Sequence, residues 1–358
     1  TAQGALAWTI TLLTIPILAV PLFWVFGRSI FEGTLQAFEQ RRHELEALHA
    51  TVRKNLEPVT SEEARAHPEF SALKNLAKTD FTRGNQVELL INGEATFASV
   101  LEGIAGARDY VLVQFYMFHD DGLGRKMQQA MIERARAGVR VYMLYDEVGS
   151  GGLPGKYVEA LREAGVNVSA FKPTQGFFNK FQLNFRNHRK IVVVDGVTGW
   201  VGGHNVGDEY LGLDPKFSPW RDTHVRIDGP AAIQLQIVAM LDWYWATREI
   251  PSLNWVPRLA ENGRSHAMIV GSAPSQSLET AGLLFVNALN SAHSRVWLSA
   301  PYFVPDEAVM KALKLAALRG VDVRVLLTGK GDSLPVFLAA YDYIRQLADL
   351  KKIRFFEY

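Results

Sequence analysis

The 358-residue sequence contains no cysteine, which rules out disulfides, thiolate metal sites and a cysteine nucleophile, and fits a reducing compartment. It also lacks a dominant charge. With 38 basic and 37 acidic side chains, no global field draws the chain to nucleic acid or to an anionic surface, so any anion binding has to be local. A concentrated basic stripe of the kind a nucleic-acid groove needs is missing, and so is any His, Asp and Glu cluster with the spacing of a dedicated metal site. From Gly4 to Gly27 there is no charged residue at all.

That uncharged run is rich in Leu, Ile, Val, Trp and Phe and is long enough to cross a hydrocarbon core of about 30 Å, so it predicts a transmembrane helix. Pro16 and Pro21 are tolerable there, because neighbours in lipid can re-satisfy the freed carbonyls. The alternatives, a buried core helix or a secretion signal, fit less well: a signal has a shorter apolar stretch and a small-residue cleavage site. Arg28, Arg41 and Arg42 follow the run, which by the positive-inside rule puts the remainder in the cytoplasm. The first residue is Thr1, so the native start is expected upstream.

Between Thr34 and Asn55, apolar residues at helical spacing among many charges predict an amphipathic helix that packs on the protein's own domain rather than on lipid. Pro58 and Pro68 mark a polar linker. The chain then repeats itself. Tyr110–Tyr116 reads as a strand, Gly124–Ala137 as a helix and Gly138–Tyr145 as a strand; Val296–Tyr302, Asp306–Leu318 and Gly320–Leu327 follow the same order. Each helix ends in an arginine and a glycine ahead of a Val-x-Val strand, the signature of a parallel crossover, and each unit continues to a further short strand, Val166–Phe171 and Ile353–Phe356. The expected fold is therefore α/β: two similar lobes with mixed, largely parallel sheets flanked by helices, behind an N-terminal transmembrane helix. The expected division is 1–28 for the membrane segment, 29–84 for the amphipathic helix and linker, 85–262 for the first lobe and 263–358 for the second.

Only one of the nine histidines is followed two places later by lysine, in Asn187-His188-Arg189-Lys190, ahead of the apolar run Ile191–Val194 and the turn Asp195-Gly196. His188 and Lys190 share strand parity, so both project from one face. The return strand Trp200-Val201 leads into Gly202-Gly203-His204-Asn205, where small residues would let the backbone and the Asn205 amide approach a bound group. A phosphodiester resists attack because its oxygens are negative. A site must neutralise them and supply a nucleophile better than water, and neutral imidazole is one near pH 7.

This arrangement resembles the H-x-K-x-x-x-x-D motif of the phospholipase D superfamily, in which two copies from two lobes meet in one active site. Gly207-Asp208-Glu209-Tyr210, Trp220–Arg226, Gly229-Pro230 and Pro301–Asp306 are similar to phrases of bacterial cardiolipin synthases, so the resemblance runs from about residue 4 to the end. It implies that His188 attacks phosphorus to form a phosphatidyl-histidine, that Lys190 and Asn205 hold the non-bridging oxygens, and that Asp195 orients or charge-stabilises one of the site's histidines. It implies no metal and no cofactor, a phosphatidylglycerol substrate, a bacterial plasma membrane location and no nucleic-acid partner, and it leaves a homo-oligomer open.

The implied reaction joins two phosphatidylglycerol molecules into cardiolipin with release of glycerol. A membrane phospholipase D that hydrolyses phospholipid to phosphatidic acid is the nearest alternative; a nuclease and a catalytically dead scaffold are further ones. The family's second histidine has no counterpart after His293. The first motif starts 17 residues after Phe171, so its second copy is expected just past Tyr358. Elsewhere, plainer readings hold. His119, Asp120 and Asp121 read as loop and helix N-terminal charge, His204 as a wall residue and Trp243, Tyr244 and Trp245 as core. Asp208 and Glu209 either back His188 or cap a helix, and Arg221 and Asp222 either pair or meet a headgroup.

Overall fold

A computed structural model describes residues 2–26, 41–171, 186–272, 278–329 and 334–358. The chain forms two compact units, one of residues 1–64 and 79–269, the other of residues 65–78 and 270–358.

In the first unit the strands are β1 (Thr82–Ile91), β2 (Tyr110–Phe115), β3 (Arg140–Asp146), β4 (Asn167–Phe171), β5 (Ile191–Val194), β6 (Thr198–Gly202), β7 (Thr223–Asp228) and β8 (Ser265–Ala267). They make one sheet in the order β4-β3-β2-β5-β6-β7-β1-β8. The β2–β3 and β3–β4 pairs are parallel, joined by the Gly122–Arg136 and Gly155–Glu163 helices, as the repeat predicts. The expectation of a largely parallel sheet needs correction here, because every other neighbouring pair is antiparallel. For the β5–β6 pair the cause is local: the chain turns at Asp195-Gly196, both at positive φ, and returns directly to its neighbour, and a tight turn can only join antiparallel strands.

β2 and β5 are buried along their whole length, which is why they read as continuous apolar runs. Val111, Val113, Phe115, Val192 and Val194 face a core shared with the helices Asn92–Gly106, Gly122–Arg136 and Gly155–Glu163. Tyr110, Leu112, Ile191 and Val193 face the Ala231–Thr247 helix through Leu235 and Ala239. Trp243, Tyr244 and Trp245 of that helix are buried, as expected of core, with Trp245 stacked on Phe171 at 4.4 Å and Trp243 edge-on to Tyr142 at 5.3 Å.

The Arg42–Leu56 helix lays Val52 and Leu56 against Ile233, so its apolar face is used inside the unit. Residues 34–40 of the predicted amphipathic segment lie outside the described residues. The expected single helix over Gly4–Gly27 is replaced by two, Ala2–Thr14 and Pro16–Phe26. Pro16 has no N–H to bond Leu12, which removes one rung of the ladder between the two helices. The chain folds back there: Trp8 and Phe23 meet edge-on at 5.3 Å, whereas a straight helix would hold them about 22 Å apart. Among the described residues no helix is long and apolar enough to cross a membrane.

In the second unit β9 (Arg295–Ser299), β10 (Asp322–Leu327) and β11 (Ile353–Glu357) form a fully parallel sheet, order β11-β10-β9, with helices Glu307–Leu318 and Leu334–Leu347 in the crossovers. Val323, Val325, Ile353 and the Glu307–Leu318 helix build its core. Asp306 caps that helix by accepting from Val309 N at 2.8 Å.

Candidate active site

The end of the first sheet where β2 and β3 finish, β6 finishes and β5 begins collects the sequence-predicted groups. It is the carboxyl end of the parallel strands, where open α/β sheets ordinarily bind ligands. Gln114 pairs with Ile191, so Lys190 and His188 continue past the last residues of β2. Lys190 is 3 % exposed, while His188 is an exposed residue. The Lys190 Nζ lies 3.0 Å from His188 Nδ1, 3.2 Å from Nε2 and donates to the His188 carbonyl at 2.8 Å. The Tyr116 ring sits 4.8 Å from the His188 ring and 5.4 Å from Lys190 Nζ.

These neighbours set the charge states. Desolvation, then the Lys190 and Arg186 cations, push His188 down to about 4, so the ring is neutral at physiological pH with a lone pair available. Burial lowers Lys190 to about 8, opposed by Asp222, so the ammonium is largely charged near pH 7. A neutral imidazole in contact with a desolvated cation is the pairing that attack on a phosphodiester needs.

The segment bearing His188 is outside the ladder, and side chains from three elements hold it. Asn187 N donates to Asp146 Oδ2 at 2.9 Å. Gln114 Nε2 donates to Asn187 Oδ1 at 2.9 Å and to Asp242 Oδ2 at 2.6 Å, and Arg189 forms an ion pair with Asp242. Both neighbours of His188 are thus fastened to buried groups, which fixes its backbone without using its ring.

Asp195 is not brought to this end. It sits at the far end of β5, whose four residues alone span about 13 Å, and its carboxylate accepts from the backbone N–H groups of Arg108, Asp109 and Tyr110, each at 2.9 Å. That ties the start of β2 to the β5–β6 turn and leaves no contact with a histidine. Asn205 does reach the site end, 4 % exposed, with Oδ1 accepting from Met117 N at 3.1 Å and Nδ2 donating to the Tyr210 hydroxyl at 2.7 Å. Its amide keeps one further N–H.

Gly202 and Gly203 are required for a different reason than the sequence suggests. A Cβ on Gly202 would stand 2.5 Å from the His224 ring, and one on Gly203 2.2 Å from Asp222 Oδ1, so the space is taken by protein side chains rather than kept for a ligand. His204 and His224 are fully buried with Nδ1 atoms 3.2 Å apart. Burial, then His204 and Lys190, hold His224 down to about 3. The His204 backbone N–H points to His224 Nδ1 at 3.4 Å, so His224 carries its proton on Nε2 and His204 donates from Nδ1. His204 therefore behaves as the wall residue expected.

The acidic loop is structural as well. Asp121 caps the Gly122–Arg136 helix through Gly124 N at 2.9 Å, and Asp208 accepts from Gly122 N and Leu123 N at 3.1 and 2.8 Å. Of the two roles open to Asp208, it takes the cap, on a helix earlier in the chain. Arg221 bonds the Asp222 carbonyl and the Thr223 hydroxyl rather than a carboxylate.

Sequence reasoning missed Tyr116, Gln114, Asp146, Asn187 and Asp242. Two of them leave a signal: Gln114 is the one polar residue in an otherwise apolar or aromatic strand, and Asp242 is the only charged residue in the Ala231–Thr247 helix.

Comparison with known proteins places the chain in a family. The family described as "Cardiolipin synthase, PLD-like domain" matches residues 100–239 and 285–358. The chain is similar to Cardiolipin synthase A of Pseudomonas putida strain GB-1, 47% identical over 345 residues, covering 95% of this chain and 71% of that protein. Cardiolipin synthase A of Pseudomonas fluorescens strain SBW25 is 46% identical over 348 residues, covering 96% and 72%. Among solved structures, phosphatidylserine synthase of Haemophilus influenzae Rd KW20 shares the fold, with a TM-score of 0.55 at 13% identity over 81% of this chain and 76% of that one.

Proposed function

The chain belongs to the phospholipase D-like family of cardiolipin synthases, and from that premise we propose that it transfers a phosphatidyl group between two phosphatidylglycerol molecules through a phosphatidyl-histidine on His188. The observation that supports this best is the neutral His188 ring lying against the Lys190 ammonium at the open carboxyl end of the sheet. A ring nitrogen of His188 attacks phosphorus, the bond from phosphorus to the glycerol oxygen breaks, and glycerol departs. The terminal hydroxyl of a second phosphatidylglycerol then attacks phosphorus, the phosphorus–nitrogen bond breaks, and cardiolipin leaves with His188 restored. Lys190 and the remaining Asn205 amide proton meet the non-bridging oxygens as charge accumulates. Asp195 serves by anchoring the strand that presents them. The acid that gives glycerol its proton is assigned, by the resemblance, to the second lobe.

The apolar segment before Arg28 is proposed to seat in the bacterial plasma membrane, with the two α/β units on the cytoplasmic side. Leu13, Ile17 and Leu18 support this, being 65% exposed or more on a segment without charge. Incubating the protein with phosphatidylglycerol vesicles tests the reaction: cardiolipin and glycerol in equal amounts are expected. Phosphatidic acid with no cardiolipin would mean that water is the acceptor.

A further inference from the structure

Joining two phosphatidylglycerol molecules sets a requirement that hydrolysis does not. The acceptor arrives with its own phosphodiester, six covalent bonds and about 7 Å of extended chain from the phosphorus that its hydroxyl attacks. Two anionic centres therefore have to sit close together, and the cation serving the first does not neutralise the second.

A second cation stands beside His188. Arg186 Nη1 donates to the Tyr116 hydroxyl at 3.3 Å, and the Tyr116 ring lies 4.8 Å from the His188 ring. Tyr116 thus separates the two positive groups: Lys190 Nζ lies 5.4 Å from its ring centroid, and the guanidinium lies at its hydroxyl end. Lys190 is buried and Arg186 is exposed, so a group approaching from solvent meets the guanidinium first. We infer that Arg186, held by the Tyr116 hydroxyl, binds the phosphodiester of the acceptor lipid and so selects an anionic lipid alcohol over water or a neutral alcohol.

This selection rests on the transfer reaction proposed for His188. In the step concerned, the acceptor hydroxyl oxygen bonds to phosphorus as the phosphorus–nitrogen bond to His188 breaks, and the hydroxyl proton passes to the site's general base. Every acceptor draws on the same phosphatidyl-histidine. Whatever Arg186 does to the His188 ring therefore cancels in a ratio of products, and only recognition of the acceptor remains.

The test supplies the full chain with phosphatidylglycerol vesicles and labelled free glycerol, and measures cardiolipin, phosphatidic acid and label returned to phosphatidylglycerol. For Arg186→Ala, cardiolipin relative to each of the other two products should fall about tenfold, the scale of one charge-assisted hydrogen bond. Arg186→Lys should recover part of that loss, and Tyr116→Phe, which removes the anchor, should fall in the same direction by a smaller factor. Ratios that stay at the wild-type value in Arg186→Ala would overturn the inference while leaving the transfer reaction standing. A wild-type protein that forms no cardiolipin would instead remove the premise, and the inference with it.

Discussion

The two units share one plan through their third parallel strand, and in the first the chain continues to a helix that covers one face of its sheet. Each threads strand, helix, strand, helix, strand into a parallel three-strand core, β2-β3-β4 and β9-β10-β11. In the first, the sheet face bearing Tyr110 and Leu112 is closed by the Ala231–Thr247 helix. At the same strand parity in the second stand Arg295 and Trp297, and Trp297 is 59% exposed, flanked by the Arg295 and Arg324 guanidiniums at 5.1 and 4.8 Å. The crossover is thus a platform. Residues 186–247 of the first unit add to it the H-x-K segment, the hairpin behind that segment, and the helix that both covers the sheet and lends Asp242 to the site.

The contrast between the two faces is measurable. Leu112→Ala removes a side chain packed under the covering helix and should cost about 3 kcal/mol, whereas Trp297→Ala, at an exposed side chain, should cost about 1 kcal/mol or less. Shifts in urea midpoint measure both, and equal losses would mean that a further segment packs on Trp297. Asp195→Ala strips three backbone N–H groups of their acceptor and should lower stability by about 2 kcal/mol in the same assay. Loss of rate with an unchanged midpoint would return Asp195 to the chemistry.

The smallest effect is the pH dependence. In the proposed reaction His188 acts as the neutral ring, so kcat/KM should decline as pH falls toward about 4, and Lys190 acts as the cation, so it should decline again as pH rises through about 8. Bound lipid phosphate favours both protonated forms, and both limbs of the kcat profile should lie at higher pH than those of kcat/KM. A single acid limb near 6.5 would mean that neither burial nor the cations act on His188.

Much of the fold and the site is legible in the residues. Val-x-Val strands after Arg-Gly helix ends locate both crossovers, and the parity of His188 and Lys190 places their side chains together. The direction of Ile191–Val194 against β2 is harder, because such an apolar run looks the same in a parallel or an antiparallel sheet. The role of Asp195 is not legible either, because motif spacing records that a residue matters and not what it touches. Gln114 and Asp242 reach Asn187 and Arg189 from positions 73 and 53 residues away, a proximity that exists only once the chain is folded. The uncharged run is long enough for one helix, but Pro16 removes a bond that the helix needs, and aromatic contact between Trp8 and Phe23 favours the fold-back.

Catalysis stands or falls with the covalent step at His188. Phosphatidylglycerol labelled at phosphorus, mixed with the protein and quenched in alkali within a turnover, should leave label on a peptide containing His188, in an acid-labile, alkali-stable linkage. His188→Ala should carry none and should lose at least about a thousandfold in rate. Label on a different side chain, or a His188→Ala protein that still forms cardiolipin at the wild-type rate, would contradict it.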